Sequence, residues 1–103
     1  MILSEYQAAA ARTLNPALDR DDRLLDAAAG LAEEAGEVLA HVRKHVMQGK
    51  PLDRAELVLE IGDALWCVAA LATTLGVTME EVAHRNLEKL ATRHPVRGPA
   101  AER

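Results

Sequence analysis

Apolar side chains recur every three or four positions through most of the chain and nowhere alternate with polar ones, so helices are predicted and strands are not. The densest run, Leu57 to Ala72 (LVLEIGDALWCVAALA), is apolar almost all round, the pattern of a helix with neighbours on several sides. Asp53 with Glu56 predicts a capping box at its start, and Gly76 predicts its end. Before it, Leu25, Ala28, Ala32, Ala35, Leu39, Val42 and Val46 form a stripe at helical spacing, predicting a helix from about Arg23 to His45 that packs through that stripe. Asp19, Asp21 or Asp22 caps its entry, Gly49 ends it, and Pro51 blocks its continuation. Ahead of that, Ser4 and Gln7 read as the capping box of a short alanine-rich helix through Arg12, stopped by Asn15-Pro16. Thr78 with Glu81 opens a last helix through about Arg93, before Pro95. The tail from Val96 to Arg103 has Gly98, Pro99 and no periodicity, and is expected to fray.

These elements predict an all-α fold, a short N-terminal helix plus three longer ones, as a single domain over residues 1–95. The link between the second and third helices is about seven residues, short enough to make them an antiparallel hairpin. Half of the 103 residues are hydrophobic, yet none is Phe and many are Ala, a thin core for a free monomer. The expectation is therefore a homo-oligomeric helical bundle with the apolar central helix near the subunit contact.

Composition narrows the function. No uninterrupted apolar run reaches the roughly 18 residues of a membrane span, and MILSEYQ lacks the blocks of a secretory signal, so a cytoplasmic protein without a membrane partner is expected. The lone Cys67 leaves no disulfide within one chain. Twelve Lys and Arg against sixteen Asp and Glu give a net charge of −4, with no basic stripe to track a nucleic-acid polymer. A polyanionic substrate would need metal ions as intermediaries.

Two acids interrupt the apolar run. Glu60 and Asp63 are three residues apart, about 60° of helix rotation, so their carboxylates leave the same side of the helix about one turn apart. An isolated carboxylate withdrawn from water costs several kcal/mol, and two together call for cations. Glu33, Glu34 and Glu37 lie on the side of the preceding helix away from its Ala32/Ala35/Leu39 stripe, which alone reads as a solvated face. In a hairpin, however, Glu37 is about as far from the turn as Glu60, so two acidic pairs meet at similar height. Converging carboxylates with no base between them repel. Mg²⁺, with Mn²⁺ as a substitute, prefers oxygen ligands and keeps positions for water and phosphate, which suits phosphoryl chemistry.

Three segments, GLAEEAGEV (Gly30 to Val38), EIGDALW (Glu60 to Trp66) and NLEKLATRH (Asn86 to His94), resemble the E-E-x-x-E, E-x-x-D and N-x-x-K-x-x-R signatures of the MazG-like nucleoside triphosphate pyrophosphohydrolases. These belong to the all-α NTP pyrophosphatase group, and the likeness runs from about Leu25 to Arg93. It implies Mg²⁺ ligation by Glu34, Glu37, Glu60 and Asp63, with Glu33 as a further ligand or the group orienting the hydrolytic water. It implies phosphate contacts from Asn86, Lys89 and Arg93. The implied reaction splits a nucleoside triphosphate between the α- and β-phosphates into monophosphate and pyrophosphate, a nucleotide-pool housekeeping activity. The implied assembly is a homodimer or dimer of dimers whose pocket is shared between subunits. The chain is short for this family and has no second MazG-like unit.

Trp66, three residues after Asp63, either stacks on a nucleotide base or packs in the core, and Tyr6 offers a second ring. His41, His45, His84 and His94 show no paired metal spacing. Two rival readings remain. A di-iron carboxylate bundle needs two E-x-x-H motifs, of which Glu81 to His84 supplies one. A non-enzymatic interaction module would use the central helix as its dimer interface and leave the acids as surface charge.

Overall fold

A computed structural model describes Met1–His94 and has four helices: α1 (Leu3–Ala11), α2 (Arg20–Gln48), α3 (Arg54–Leu75) and α4 (Met79–Arg93). No strand occurs among the described residues, so the fold is all-α. The expected fraying of Val96 to Arg103 falls outside them. Local hydrogen bonding explains most boundaries. Asp19 Oδ1 accepts from the Asp22 amide at 2.9 Å, Asp53 Oδ1 from Glu56 at 3.1 Å and Thr78 Oγ1 from Glu81 at 3.0 Å, each satisfying a first-turn N–H that has no helical acceptor. Gly49 and Gly76 close α2 and α3 with φ of 67° and 75°, a backbone region that side-chain-bearing residues resist.

The N-terminal helix departs from its expected capping. Ile2 is the N-cap residue, its amide donating to Glu5 Oε1 at 3.1 Å, while Ser4 and Gln7 serve tertiary contacts. Gln7 Nε2 donates to Thr73 Oγ1 at 3.2 Å and to the Val77 carbonyl at 2.9 Å, and Gln7 Oε1 accepts from the Met79 amide at 2.8 Å. The Ser4 amide donates to Glu80 Oε2 at 2.9 Å. One amide thus satisfies groups at the end of α3, in the following link and at the start of α4, and seats α1 across that corner. A capping role would have met only one orphan donor.

Helices α2 and α3 form the antiparallel hairpin. Gly30 faces Cys67 while His41 faces Glu60, so positions fall along α2 as they rise along α3. The buried core is made of Ala27, Cys67, Ala69, Ala70, Ala72 and Met79, with Tyr6, Ala10, Val68 and Val77 packed against its α1–α3–α4 end. A Cβ on Gly30 would stand 3.1 Å from Cys67 Sγ, which marks the close approach of the two helices.

Two packing expectations are corrected. The Leu25-to-Val46 stripe is not the packed face of α2: Leu25 and Val46 are each 70% exposed and Leu39 is 59% exposed. The helix instead turns Leu24, Ala27, Leu31, Glu34, Val38 and His41 inward, a second series at helical spacing. Ala27 and Gly30 on that side stand where α2 comes close to α3, and the Leu25-to-Val46 stripe stays uncovered in the single chain. Likewise, α3 is buried only toward its C-terminal half, because α1 and α4 cover only that end; Val58, Leu59 and Ile61 are more than half exposed. By length and mean hydropathy (1.6 over its best window) α3 is also long and apolar enough to cross a bilayer, although Glu60 and Asp63 interrupt its apolar run. Here it carries Glu60 and Asp63 and packs against the other three helices.

Candidate metal centre

The inward turn of α2 brings Glu34 to the side of α3 that bears Glu60 and Asp63. Each of the three offers a carboxylate oxygen, and these oxygens all lie within 4.8 Å of one another. Glu34 is half-buried, Asp63 is exposed, and the Glu60 side chain is 17% exposed. Glu34 Oε2 is sealed from solvent and has no hydrogen-bond partner. Desolvation, then the nearness of the Glu60 carboxyl and the charges of Asp63, Glu60 and Glu33, pushes the Glu34 carboxyl above the usual glutamate range. Among the described residues no Lys or Arg pairs with any of the three; the one ion contact is His41 Nε2 at 3.8 Å from Glu60 Oε1.

Three oxygen donors, one of them orphaned, without a lysine or arginine to neutralise them, fit a hard divalent cation of the Mg²⁺ or Mn²⁺ kind. A soft-metal site is disfavoured by Cys67, whose thiol is pushed up by burial and then by the charges of Glu34, Asp63, Asp26 and Glu33, so that it keeps its proton.

A cleft of about 360 Å³ opens beside the carboxylates, lined by Asp26, Gly30, Glu34, Asp63, Trp66 and Cys67. Asp26, Gly30 and Glu34 follow each other four residues apart along α2, and Trp66 and Cys67 succeed Asp63 on α3. Trp66 is half-buried and forms a wall of this cleft. Its indole N–H donates to Thr13 Oγ1 at 2.7 Å, and the Thr13 hydroxyl donates to the Ala10 carbonyl at 2.7 Å. The end of α1 therefore fixes the orientation of the ring. Tyr6 on α1 is half-buried, and its phenol is pushed up by burial and then by the negative charge of Asp63, on the α3 side of the carboxylate group.

Other predicted residues stand apart. Glu37 is exposed and outside the group of three, and Glu33 is exposed, reaching Glu34 through its charge. Asn86, Lys89 and Arg93 are exposed on α4, which packs on α1 and α3 but not on α2, and none of them lines the cleft. Glu81 and His84 lie on the same exposed helix away from the three carboxylates, which removes the geometric support for a di-iron centre. Sequence reasoning missed Asp26, Gly30 and Cys67 as cleft residues, and His41 and Thr13 as contacts. Helical spacing from Glu34 carried a signal for Asp26, Gly30 and His41. Nothing near Thr13 in the sequence points to Trp66.

Comparison with known proteins gives a match to the family model described as the MazG nucleotide pyrophosphohydrolase domain over residues 24–98. The chain is also similar to the Gene 37 protein of Mycobacterium phage L5, with 40% identity over 68 residues. That match covers 62% of this chain and 60% of the phage protein, so less than two thirds of the relative's length is spanned. No solved structure matches.

Proposed function

The chain belongs to the MazG nucleotide pyrophosphohydrolase domain family, and on that premise we propose that it hydrolyses nucleoside triphosphates between the α- and β-phosphates, with Mg²⁺ held by Glu34, Glu60 and Asp63. The observation that carries the reading is the convergence of those three carboxylates with no lysine or arginine on them and one sealed, unpartnered oxygen. Bound there, Mg²⁺ supplies neutralisation of phosphate charge and a more acidic water. Glu33, next to Glu34 and exposed, is the candidate for orienting that water, and Glu37, one turn along α2 and exposed, would join the ligands in this reading only by turning its carboxylate toward the group of three. The adjoining cleft takes the nucleoside, with Trp66 offering a ring face to the base.

Asn86, Lys89 and Arg93 meet substrate phosphates in this reading only where a second copy brings its α4 to the cleft. The uncovered apolar residues support such an assembly: Val58, Leu59 and Ile61 on α3, Leu25 and Val46 on α2, and Leu87 on α4 are each more than half exposed. A homodimer or dimer of dimers covers them.

A panel of standard and modified NTPs and dNTPs, incubated with Mg²⁺, tests the reaction by scoring nucleoside monophosphate and pyrophosphate separately from orthophosphate. Release of orthophosphate alone would point to another bond and sink the proposal. Light scattering checks the assembly, and a stable monomer at micromolar concentration would contradict it.

A further inference from the structure

The inward face of α2 carries one group that the three-carboxylate site does not use. His41 lies two helical turns beyond Glu34 on the same inward series, and its Nε2 is 3.8 Å from Glu60 Oε1. The His41 and Glu60 side chains are 22% and 17% exposed, so the contact is largely screened from water. Glu60 is therefore met from two places along α2, by the Glu34 carboxyl, with an oxygen within 4.8 Å of one of its own, and by the His41 ring.

We propose that His41 is a positioning residue that holds the Glu60 carboxylate toward Glu34 and Asp63 and thereby sets the affinity of this chain for its divalent cation. The inference rests on the metal-dependent reading above and adds to it a residue outside the ligand set. A glutamate side chain has several rotatable bonds, and fixing it opposes an appreciable rotamer entropy. Glu34 does not fix Glu60, because a neighbouring carboxylate offers it no cationic partner and like charges repel. At 3.8 Å the imidazole Nε2 stands beyond hydrogen-bond distance of Glu60 Oε1, and a small rotation of either side chain brings it within donor reach without withdrawing the oxygen from the site. Groups that orient a ligand from behind typically change metal affinity by about 10- to 100-fold when removed. The role requires only that Nε2 carry its hydrogen, as it does in one neutral tautomer and in the cation.

The test uses the full chain and Mn²⁺ as the probe, with binding followed by loss of the free-ion electron paramagnetic resonance signal and folding checked by circular dichroism. His41→Leu keeps bulk at the position without a donor and is expected to weaken Mn²⁺ binding by about 10- to 100-fold while remaining helical. His41→Gln restores a nitrogen donor near the place of Nε2 and is expected to return binding close to the wild-type value, a rescue that a packing role would not produce. Glu60→Gln is the control for the ligand itself. His41→Leu binding Mn²⁺ as tightly as the wild type, while Glu60→Gln abolishes binding, would overturn this inference and leave the metal site standing. Equal weakening in the Leu and Gln variants would also overturn it. A wild-type chain that binds no Mn²⁺ would overturn both this inference and the proposed function.

Discussion

Replacing Asp63 with asparagine separates a metal site from a surface cluster of acids, because the two make opposite demands on stability. The Asp63 and Glu60 oxygens lie within 4.8 Å, so two full charges there repel by about 3.5 kcal/mol at an effective dielectric of about 20, and by about 0.9 kcal/mol in bulk water. Asp63 is exposed, which places its repulsion near the lower figure, at about 1 kcal/mol. Asparagine has nearly the same shape and no charge. Asp63→Asn is therefore expected to raise the melting temperature in EDTA by about 4–8 °C, the shift that 1 kcal/mol gives in a chain of this size. Magnesium reverses the order. A cation at a hundred times its dissociation constant stabilises the wild type by about 2.7 kcal/mol, and the variant, short of a ligand, gains little and loses metal-dependent turnover. Thermal melts of both proteins in EDTA and in excess Mg²⁺ read all four values. A variant less stable than the wild type in EDTA, or an equal gain from Mg²⁺ in the two proteins, would refute the reasoning.

Three further predictions rest on separate contacts. Because the Glu34 carboxyl is raised in the fold, its contribution to metal-free stability is fully present below the ordinary glutamate range and is lost as pH rises through the raised value. Melts in EDTA should thus show the wild type falling behind Glu34→Gln across that window, and parallel pH profiles would contradict the assignment. At the helix crossing, Gly30→Ala trades about 1 kcal/mol of helix propensity against the 3.1 Å approach to Cys67 Sγ. The alanine should therefore stabilise fully only in a Cys67→Ala background, and a double-mutant cycle in chemical denaturation without coupling would exclude the clash. Gln7→Ala removes three hydrogen bonds, worth about 1 kcal/mol each, and should destabilise by about 2–3 kcal/mol with faster hydrogen exchange at the Met79 amide. An unchanged melting temperature would show that α1 is held by its apolar contacts alone.

The sequence by itself determined the helices and most of their ends, since Asp19, Asp53 and Thr78 each act on an amide three residues away and Gly49 and Gly76 supply a backbone turn that needs no distant partner. It also determined that Glu60 and Asp63 share a side of α3, because helix rotation alone fixes that relation. Only the tertiary structure decided which glutamate of Glu33, Glu34 and Glu37 meets them. Helix α2 carries two series of inward-capable positions, and neither periodicity nor side-chain size chooses between them, since Ala27 and Gly30 on one are matched by Ala28, Ala32 and Ala35 on the other; α3 comes close on the side of Ala27 and Gly30. That rotation brought Glu34 and His41 in and left Glu37 and the Leu25-to-Val46 stripe outside. The pairings of Gln7 with the α3–α4 corner and of Thr13 with Trp66 join residues more than fifty positions apart, and no local rule contains them. A helix specifies the angles between its own side chains, but its rotation against a neighbour is a property of two surfaces and is settled only when they pack.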